Sequence, residues 1–148
     1  MIIRKAEPQD AEELKDLYFT YLSPWSPKNE QNMDLWKEKI AKFHDDFNFY
    51  LLVCEVGGKV VSSVQLVIIE SLTHDVSPFG IIENVVTHGG YRCKGYASAL
   101  LQRAIDIAKE RGCYKVSLET GSNKESTLNF YRNNGFAIDE KHSCIKRL

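Results

Sequence analysis

The run Tyr91-Arg92-Cys93-Lys94-Gly95-Tyr96-Ala97-Ser98 carries two cations, a glycine and a small residue, just where an apolar stretch gives way to a helical pattern. The apolar stretch is Phe79 to Val86. The first N–H groups of a helix have no intrahelical partner, and the helix dipole makes that end positive. Strand, basic turn and helix in succession therefore build an anion site. Gly95 and Ala97 keep bulk away from the backbone where a phosphate approaches. Arg92 and Lys94 add positive charge. A phosphorylated ligand is the expectation. Gly90 and Gly95 have the glycine spacing of a P-loop, but Tyr96 and Ala97 follow where Lys and Ser or Thr are required. No G-x-G-x-x-G run exists for a dinucleotide. What remains, Arg92-x-x-Gly95-x-Ala97, serves equally well as a basic loop that caps a helix.

A second set of residues follows about thirty positions later. Gly112 to Thr120 is strand-like, and Asn123 to Asn134 is a short helical stretch containing Asn129-Phe130-Tyr131, followed by Gly135-Phe136. Together the two sets resemble the GNAT N-acetyltransferases, a superfamily that transfers acyl groups from coenzyme A. Arg92-x-x-Gly95-x-Ala97 is similar to its Q/R-x-x-G-x-G/A pyrophosphate motif. Asn123, Phe130, Tyr131, Gly135 and Phe136 match, in order, its second signature. The motifs cover Ile82 to Phe136, and the order of elements extends the resemblance from Ile2 to Leu148. Within the superfamily, Ile82-Glu83-Asn84-Val85-Val86 and Gly112-Cys113-Tyr114-Lys115 look most like glucosamine-6-phosphate N-acetyltransferases.

Acyl transfer from a thioester to an amine needs three things. A donor must meet the carbonyl as charge develops on it. The departing thiolate benefits from a proton, and the amine must lose one. The resemblance implies an acetyl-CoA-dependent N-acetyltransferase acting by direct transfer in a ternary complex, with no metal. It implies that backbone at Val85 or Val86 polarises the carbonyl and pairs with the pantetheine arm. It implies that Arg92, Cys93, Lys94, Gly95, Tyr96 and Ala97 wrap the pyrophosphate and that Asn123 contacts the cofactor arm. Tyr131 would protonate the sulfur, with Phe130 packing beside it. Glu83 would be the base, directly or through water. On a regular strand Glu83 and Val85 share one face, while Asn84 points to the other. His88 either relays a proton or is simply exposed at the strand end. His74 either touches substrate or is an ordinary loop histidine. Tyr21 and Trp25, beside Pro24 and Pro27, either lid the acceptor pocket or pack a helix end. A non-catalytic coenzyme A-binding module and a protein or peptide N-acetyltransferase are the alternative functions.

Two positions depart from the superfamily pattern. Cys93 stands where glycine is common, which puts a thiol at a helix start beside two cations, the setting of a reactive cysteine. Gly89 stands where proline is frequent.

The elements that must position these residues can be read from pattern. Ile2 to Ala6 is a strand, Pro8 to Leu22 and Glu30 to His44 are helices. Phe49 to Val56 and Lys59 to Ile69 are strands joined at Gly57-Gly58, a hairpin signal. Ser71 to Pro78 is a loop, and Phe79 to Thr87 a strand. Tyr96 to Arg111 is a helix with apolar positions 97, 100, 101, 104, 105 and 108, closed by Gly112. Tyr114 to Thr120 is a strand and Lys124 to Asn134 a helix. Phe136 to Ile138 and Lys141 to Lys146 are two short strands. The order β-α-α-β-β-β-α-β-α-β-β predicts an α/β (mixed α+β) fold, a mostly antiparallel twisted sheet flanked by helices. The resemblance adds that the strand before the anion turn splays from the next one.

The 148 residues suggest one domain over 1–148. A net charge of −1 gives no electrostatic case for nucleic acid or anionic membrane as a partner. The expected partner is a small-molecule amine, and the oligomeric state stays open between monomer and homodimer. Cys54, Cys93, Cys113 and Cys144 form no C-x-x-C pair, so neither zinc nor redox chemistry is indicated. Cys54 and Cys113 read as reduced core residues. Neither a leader pattern nor a membrane-length apolar run is present, so the expected compartment is the cytoplasm.

Overall fold

The structure, a computed structural model, describes residues 1–25 and 30–148. Its sheet has the order β1-β2-β3-β4-β5. The strands are β1 (Ile2–Lys5), β2 (Phe49–Val56), β3 (Lys59–Ile69), β4 (Phe79–Thr87) and β5 (Val116–Leu118). All neighbours are antiparallel except β4 and β5, which are parallel. The helices are α1 (Ala11–Tyr21), α2 (Met33–Asp45), a single turn α3 (Thr73–Val76), α4 (Tyr96–Glu110) and α5 (Glu125–Asn133). The expected fold class is the observed one, and the element order agrees from β1 to α5 apart from the single turn α3, which lies in the expected loop Ser71 to Pro78.

Strand alternation divides the apolar residues between the two faces of the sheet. Leu51 and Val53 point to α1 and α2, where Leu14, Leu17 and Ile40 complete one core. Leu52 and Cys54 point the other way, to Leu100, Leu101, Ala104, Ile107 and Ala108 on α4, and Tyr131 on α5 belongs to this second core. The α4 stripe is therefore buried much as its periodicity predicts. Helix α2 starts later than expected because Asn32 is its N-cap, accepting from the amides of Asp34 at 3.1 Å and Leu35 at 3.3 Å.

Strand β4 changes register against β3. Glu83 is opposite Gln65 and Val86 opposite Ser63, so two residues, Asn84 and Val85, face the single Val64. This is a β-bulge, with Asn84 left-handed at φ 53°. Asparagine tolerates that conformation better than most residues. The bulge explains why Ile82 lies in the α4 core while Val86, four residues on, lies in the α1 and α2 core. A regular strand would put both on one face.

Pairing of β4 with β5 stops at Ile82 and Leu118, one step short of Glu83 and the bulge. Beyond it the strands part, and β5 is shorter than the expected 114–120. The two expected strands at Phe136–Ile138 and Lys141–Lys146 do not form. Asp139-Glu140-Lys141-His142-Ser143 is an unbroken polar run with no face to bury. Ile145, the apolar residue after it, stays 69% exposed.

Candidate active site

Where β4 and β5 part, a cleft of about 500 Å³ opens. One wall is Val85, Val86 and Thr87 from the end of β4, continuing into Tyr91, Arg92, Cys93, Gly95, Tyr96, Ala97 and Ser98. The opposite wall is Lys124, Ser126, Thr127, Phe130 and Tyr131 around α5, and Tyr21 closes one side.

Gly95 is the N-cap of α4, with φ 82° and no side-chain cap. The helix therefore presents its first N–H groups to the cleft without a side-chain acceptor, which is a fitting cradle for an anion. A Cβ built on Gly95 would meet no protein atom within 4 Å. Glycine is thus required here by backbone conformation, and the room it leaves is open cleft. Cys93 is also left-handed, at φ 58°. A glycine would hold that conformation without strain, which accounts for the glycine common at this position in the superfamily pattern and leaves the cysteine strained. Cys93 is exposed on the cleft wall, whereas Lys94 does not line it. The Lys94 ammonium sits 3.4 Å from the Gly90 carbonyl and over the Tyr91 ring. Arg92 donates from Nε to the Thr87 carbonyl at 3.2 Å, leaving its terminal amines for a ligand.

Behind this turn, Gly89 lets Tyr21 come close. A Cβ at Gly89 would lie 3.0 Å from Tyr21 Cε1, a contact that proline could not avoid either. The Tyr21 hydroxyl lies 3.2 Å from His88 Nε2, and the Gly90 amide donates to His88 Nδ1 at 3.1 Å. An amide can only donate, so Nδ1 is the acceptor and the neutral ring carries its proton on Nε2. His88 thus has no free lone pair and does not fit the proton relay considered from the sequence. His74 stacks on Tyr114 with ring centroids 3.8 Å apart, beside Phe79 at the other end of β4, away from the cleft. Trp25 is 80% exposed. Pro27 of the expected lid lies outside the described residues.

Tyr131 is 7% exposed and its ring is packed edge-on against Phe130 and Phe136. Burial, and then the charge of Glu83, hold its phenol above the usual tyrosine range. It remains a proton donor through neutral pH. Glu83 does not line the cleft, and part of its side chain is open to solvent. Desolvation, and then the charge of Glu119, hold its carboxyl above the usual carboxylate range. The bulge corrects one expectation. Cross-strand partners share a face, so Glu83 and Val86 are on the side of Gln65 and Ser63, and Val85 is on the other. Neither Asn84 nor Val85 has a partner on β3, and β5 does not reach them. Asn84 is exposed and donates from Nδ2 to Gln65 Oε1 at 3.3 Å. Asn123 is exposed and does not line the cleft; Lys124, Ser126 and Thr127 do so in its place. Sequence reasoning missed Ser126 and Thr127, which are ordinary helix-start residues whose only signal was their position after β5.

Among the described residues no cluster of three or more His, Cys, Asp or Glu side chains is placed to hold a metal ion. No described helix is long and apolar enough to cross a membrane.

A family model described as the acetyltransferase (GNAT) family matches residues 11–136. The chain is 36% identical over 84 residues to a glucosamine 6-phosphate N-acetyltransferase of Trypanosoma brucei brucei, covering 57% of this chain and 55% of the relative. It is 27% identical over 90 residues to a glucosamine 6-phosphate N-acetyltransferase of Arabidopsis thaliana, covering 61% and 60%. The matches thus span little more than half the length of these curated relatives. A solved chain from Agrobacterium tumefaciens str. C58, provisionally named an acetyltransferase, superposes with TM-score 0.90 at 31% identity, covering 99% of this chain and 100% of that one. The Arabidopsis thaliana glucosamine-6-phosphate N-acetyltransferase structure superposes with TM-score 0.83 at 20% identity over 98% and 97%, a likeness of fold.

Proposed function

The chain belongs to the GNAT acetyltransferase family, and on that premise we propose that it is an N-acetyltransferase moving an acetyl group from acetyl-CoA to a primary amine of a small molecule, by direct transfer in a ternary complex. The observation that carries this reading is one shared cleft. It brings together the uncapped start of α4, the unpaired backbone of bulged β4 and the Tyr131 phenol.

Bound acetyl-CoA supplies an activated acyl carbonyl and a thiol leaving group. The residues present fit it. The amides at the start of α4, with Gly95 leaving open space above them, hold the diphosphate, and Arg92 adds a charged contact. The backbone at Asn84 and Val85 is free to pair with the amides of the pantetheine arm as an added strand would. An N–H from Val85 or Val86 donates to the carbonyl oxygen, where a fixed dipole costs no reorganisation. Tyr131 gives its phenolic proton to the departing sulfur. Glu83, on the α1 and α2 side of β4, takes the proton of the acceptor amine, through water since it does not itself line the cleft.

Glucosamine 6-phosphate is the first amine to test, because the matched relatives carry its name. A panel containing it, polyamines, amino acids, aminoglycosides and peptides is incubated with acetyl-CoA, free thiol release is followed, and coenzyme A binding is measured by calorimetry. Acetyl transfer to at least one small amine is expected. Release with protein or peptide amines alone would replace the small-molecule acceptor. Binding of coenzyme A with no transfer to any amine would leave a binding module.

A further inference from the structure

We propose that Ser62 and Thr87 are positioning residues that couple occupancy of the anion turn to the geometry of the bulged segment of β4. The proposal rests on the reading of that turn as the diphosphate site. Ser62 and Ser63 interrupt an otherwise apolar stretch of β3, and both are 0% exposed. A buried hydroxyl is costly unless it is hydrogen-bonded, so two adjacent ones in mid-strand need a reason.

Their partners differ. Ser63 faces α1, with its Oγ 3.3 Å from the Tyr18 hydroxyl. Ser62 faces the other way and donates to the Val86 carbonyl at 2.7 Å. That bond uses its only proton, so the 2.8 Å contact between Ser62 Oγ and Thr87 Oγ1 is donated by Thr87. The result is a directed chain, Thr87 hydroxyl to Ser62 hydroxyl to Val86 carbonyl. Thr87 is gripped at its other end as well, since its carbonyl accepts from Arg92 Nε at 3.2 Å. A run of hydrogen bonds therefore leads from the cation of the anion turn, through Thr87 and Ser62, to Val86. Val86 directly follows Asn84 and Val85, the two residues with no partner on β3. An anion that fixes Arg92 also fixes Thr87, and through the Thr87 and Ser62 hydroxyls the backbone that must meet the acyl carbonyl. Binding energy from a remote part of the cofactor thus orients the reacting part.

The test reads backbone order without turnover. ADP carries a diphosphate and no pantetheine arm, so it occupies the turn and leaves Asn84 to Val86 untouched. Its binding is measured by calorimetry, and amide hydrogen exchange at 84–86 is followed with and without it. In the unmodified chain ADP should slow exchange there on the order of fivefold, about what one net hydrogen bond is worth. Ser63→Ala, which removes an equally buried hydroxyl from the other face, should keep the slowing. Ser62→Ala and Thr87→Val should bind ADP yet lose it. Thr87 is only half-buried, so its variant folds even where Ser62→Ala does not. Slowing that persists in Thr87→Val, or that Ser63→Ala also abolishes, overturns the coupling. An unmodified chain that binds ADP without slowing overturns the coupling alone. One that binds neither ADP nor coenzyme A overturns the cofactor reading and the coupling with it.

Discussion

The two edges of β4 were built for different ends. Toward β3 it makes seven residue pairs and spans nearly its whole length, interrupted only by the bulge. Toward β5 it makes three, at Gly80, Ile81 and Ile82, and then stands alone. The closed edge carries buried residues of both cores, Ile82 on one face and Val86 on the other. The open edge gives up ladder bonds and in exchange presents unpaired backbone beside an uncapped helix start. One strand thus serves stability on one side and, on the proposed reading, a ligand on the other, and the bulge at Asn84 marks the change.

Substitutions on the open side should cost function with little loss of stability. The largest effect is expected at Tyr131. Tyr131→Phe keeps the ring that packs in the core and removes the proton donor, so kcat should fall on the order of 10²–10⁴-fold. Coenzyme A affinity and Tm should hold. An unchanged kcat with chemistry shown to be rate-limiting would leave the open edge without its acid. Next is Gly95→Val. A branched side chain there would fill the open cleft over the first α4 amides, so coenzyme A should bind roughly tenfold weaker or worse. The left-handed backbone makes this the open-side variant that also melts lower, since it costs an L-residue about 1–2 kcal/mol. Calorimetry reads this directly, and unaltered affinity would take the α4 start out of the site.

Glu83 sharpens the comparison through pH. Its carboxyl is held above the ordinary value of 4.5. The folded chain then binds this proton more tightly than the unfolded chain does. The associated stability is full below pH 4.5 and is lost as pH rises through the raised folded value. Glu83→Gln should therefore melt slightly higher than the parent at neutral pH and level with it in acid. In rate profiles the same variant should lose the limb that falls toward low pH. A retained limb would assign the base to another group. Glu83→Gln that melts lower at neutral pH would contradict the shift.

The smallest effect is a labelling contrast. Cys93 and Cys144 are exposed, Cys54 is buried and Cys113 partly so. Burial also pushes the thiols of Cys54 and Cys113 up, away from the reactive thiolate. Timed iodoacetamide labelling read by mass spectrometry should modify Cys93 first, with Cys144 its exposed rival, and coenzyme A should protect Cys93 alone. Equal protection of Cys144, or none at Cys93, would move the ligand away from the turn.

The closed edge was the more legible in sequence. Alternation in Phe49–Val56 and Lys59–Ile69, with Gly57-Gly58 between, placed the hairpin at its observed limits, because local pattern and turn chemistry agree there. The turn into α4 was legible for the same reason, since Gly95 sets the helix start through its own backbone conformation. The bulge was not. Ile82-Glu83-Asn84-Val85-Val86 reads as regular strand, and only the tertiary register against Ser63 and Gln65 shows that Glu83 and Val85 part company. The far wall was missed in part because Ser126 and Thr127 reach the cleft only through the path of the chain after β5. Asn123 and Lys94 have suitable chemistry and lie one residue from the lining, a distance that sequence spacing does not resolve.

A crystal structure with coenzyme A bears most directly on the open edge of β4. Diphosphate oxygens are expected within about 2.7–3.2 Å of backbone amides between Cys93 and Ala97, with the pantetheine arm along Asn84 to Val86. A diphosphate bound elsewhere on the chain, or an arm that leaves this edge of β4 bare, would contradict the assignment of the splay as the site of acyl transfer.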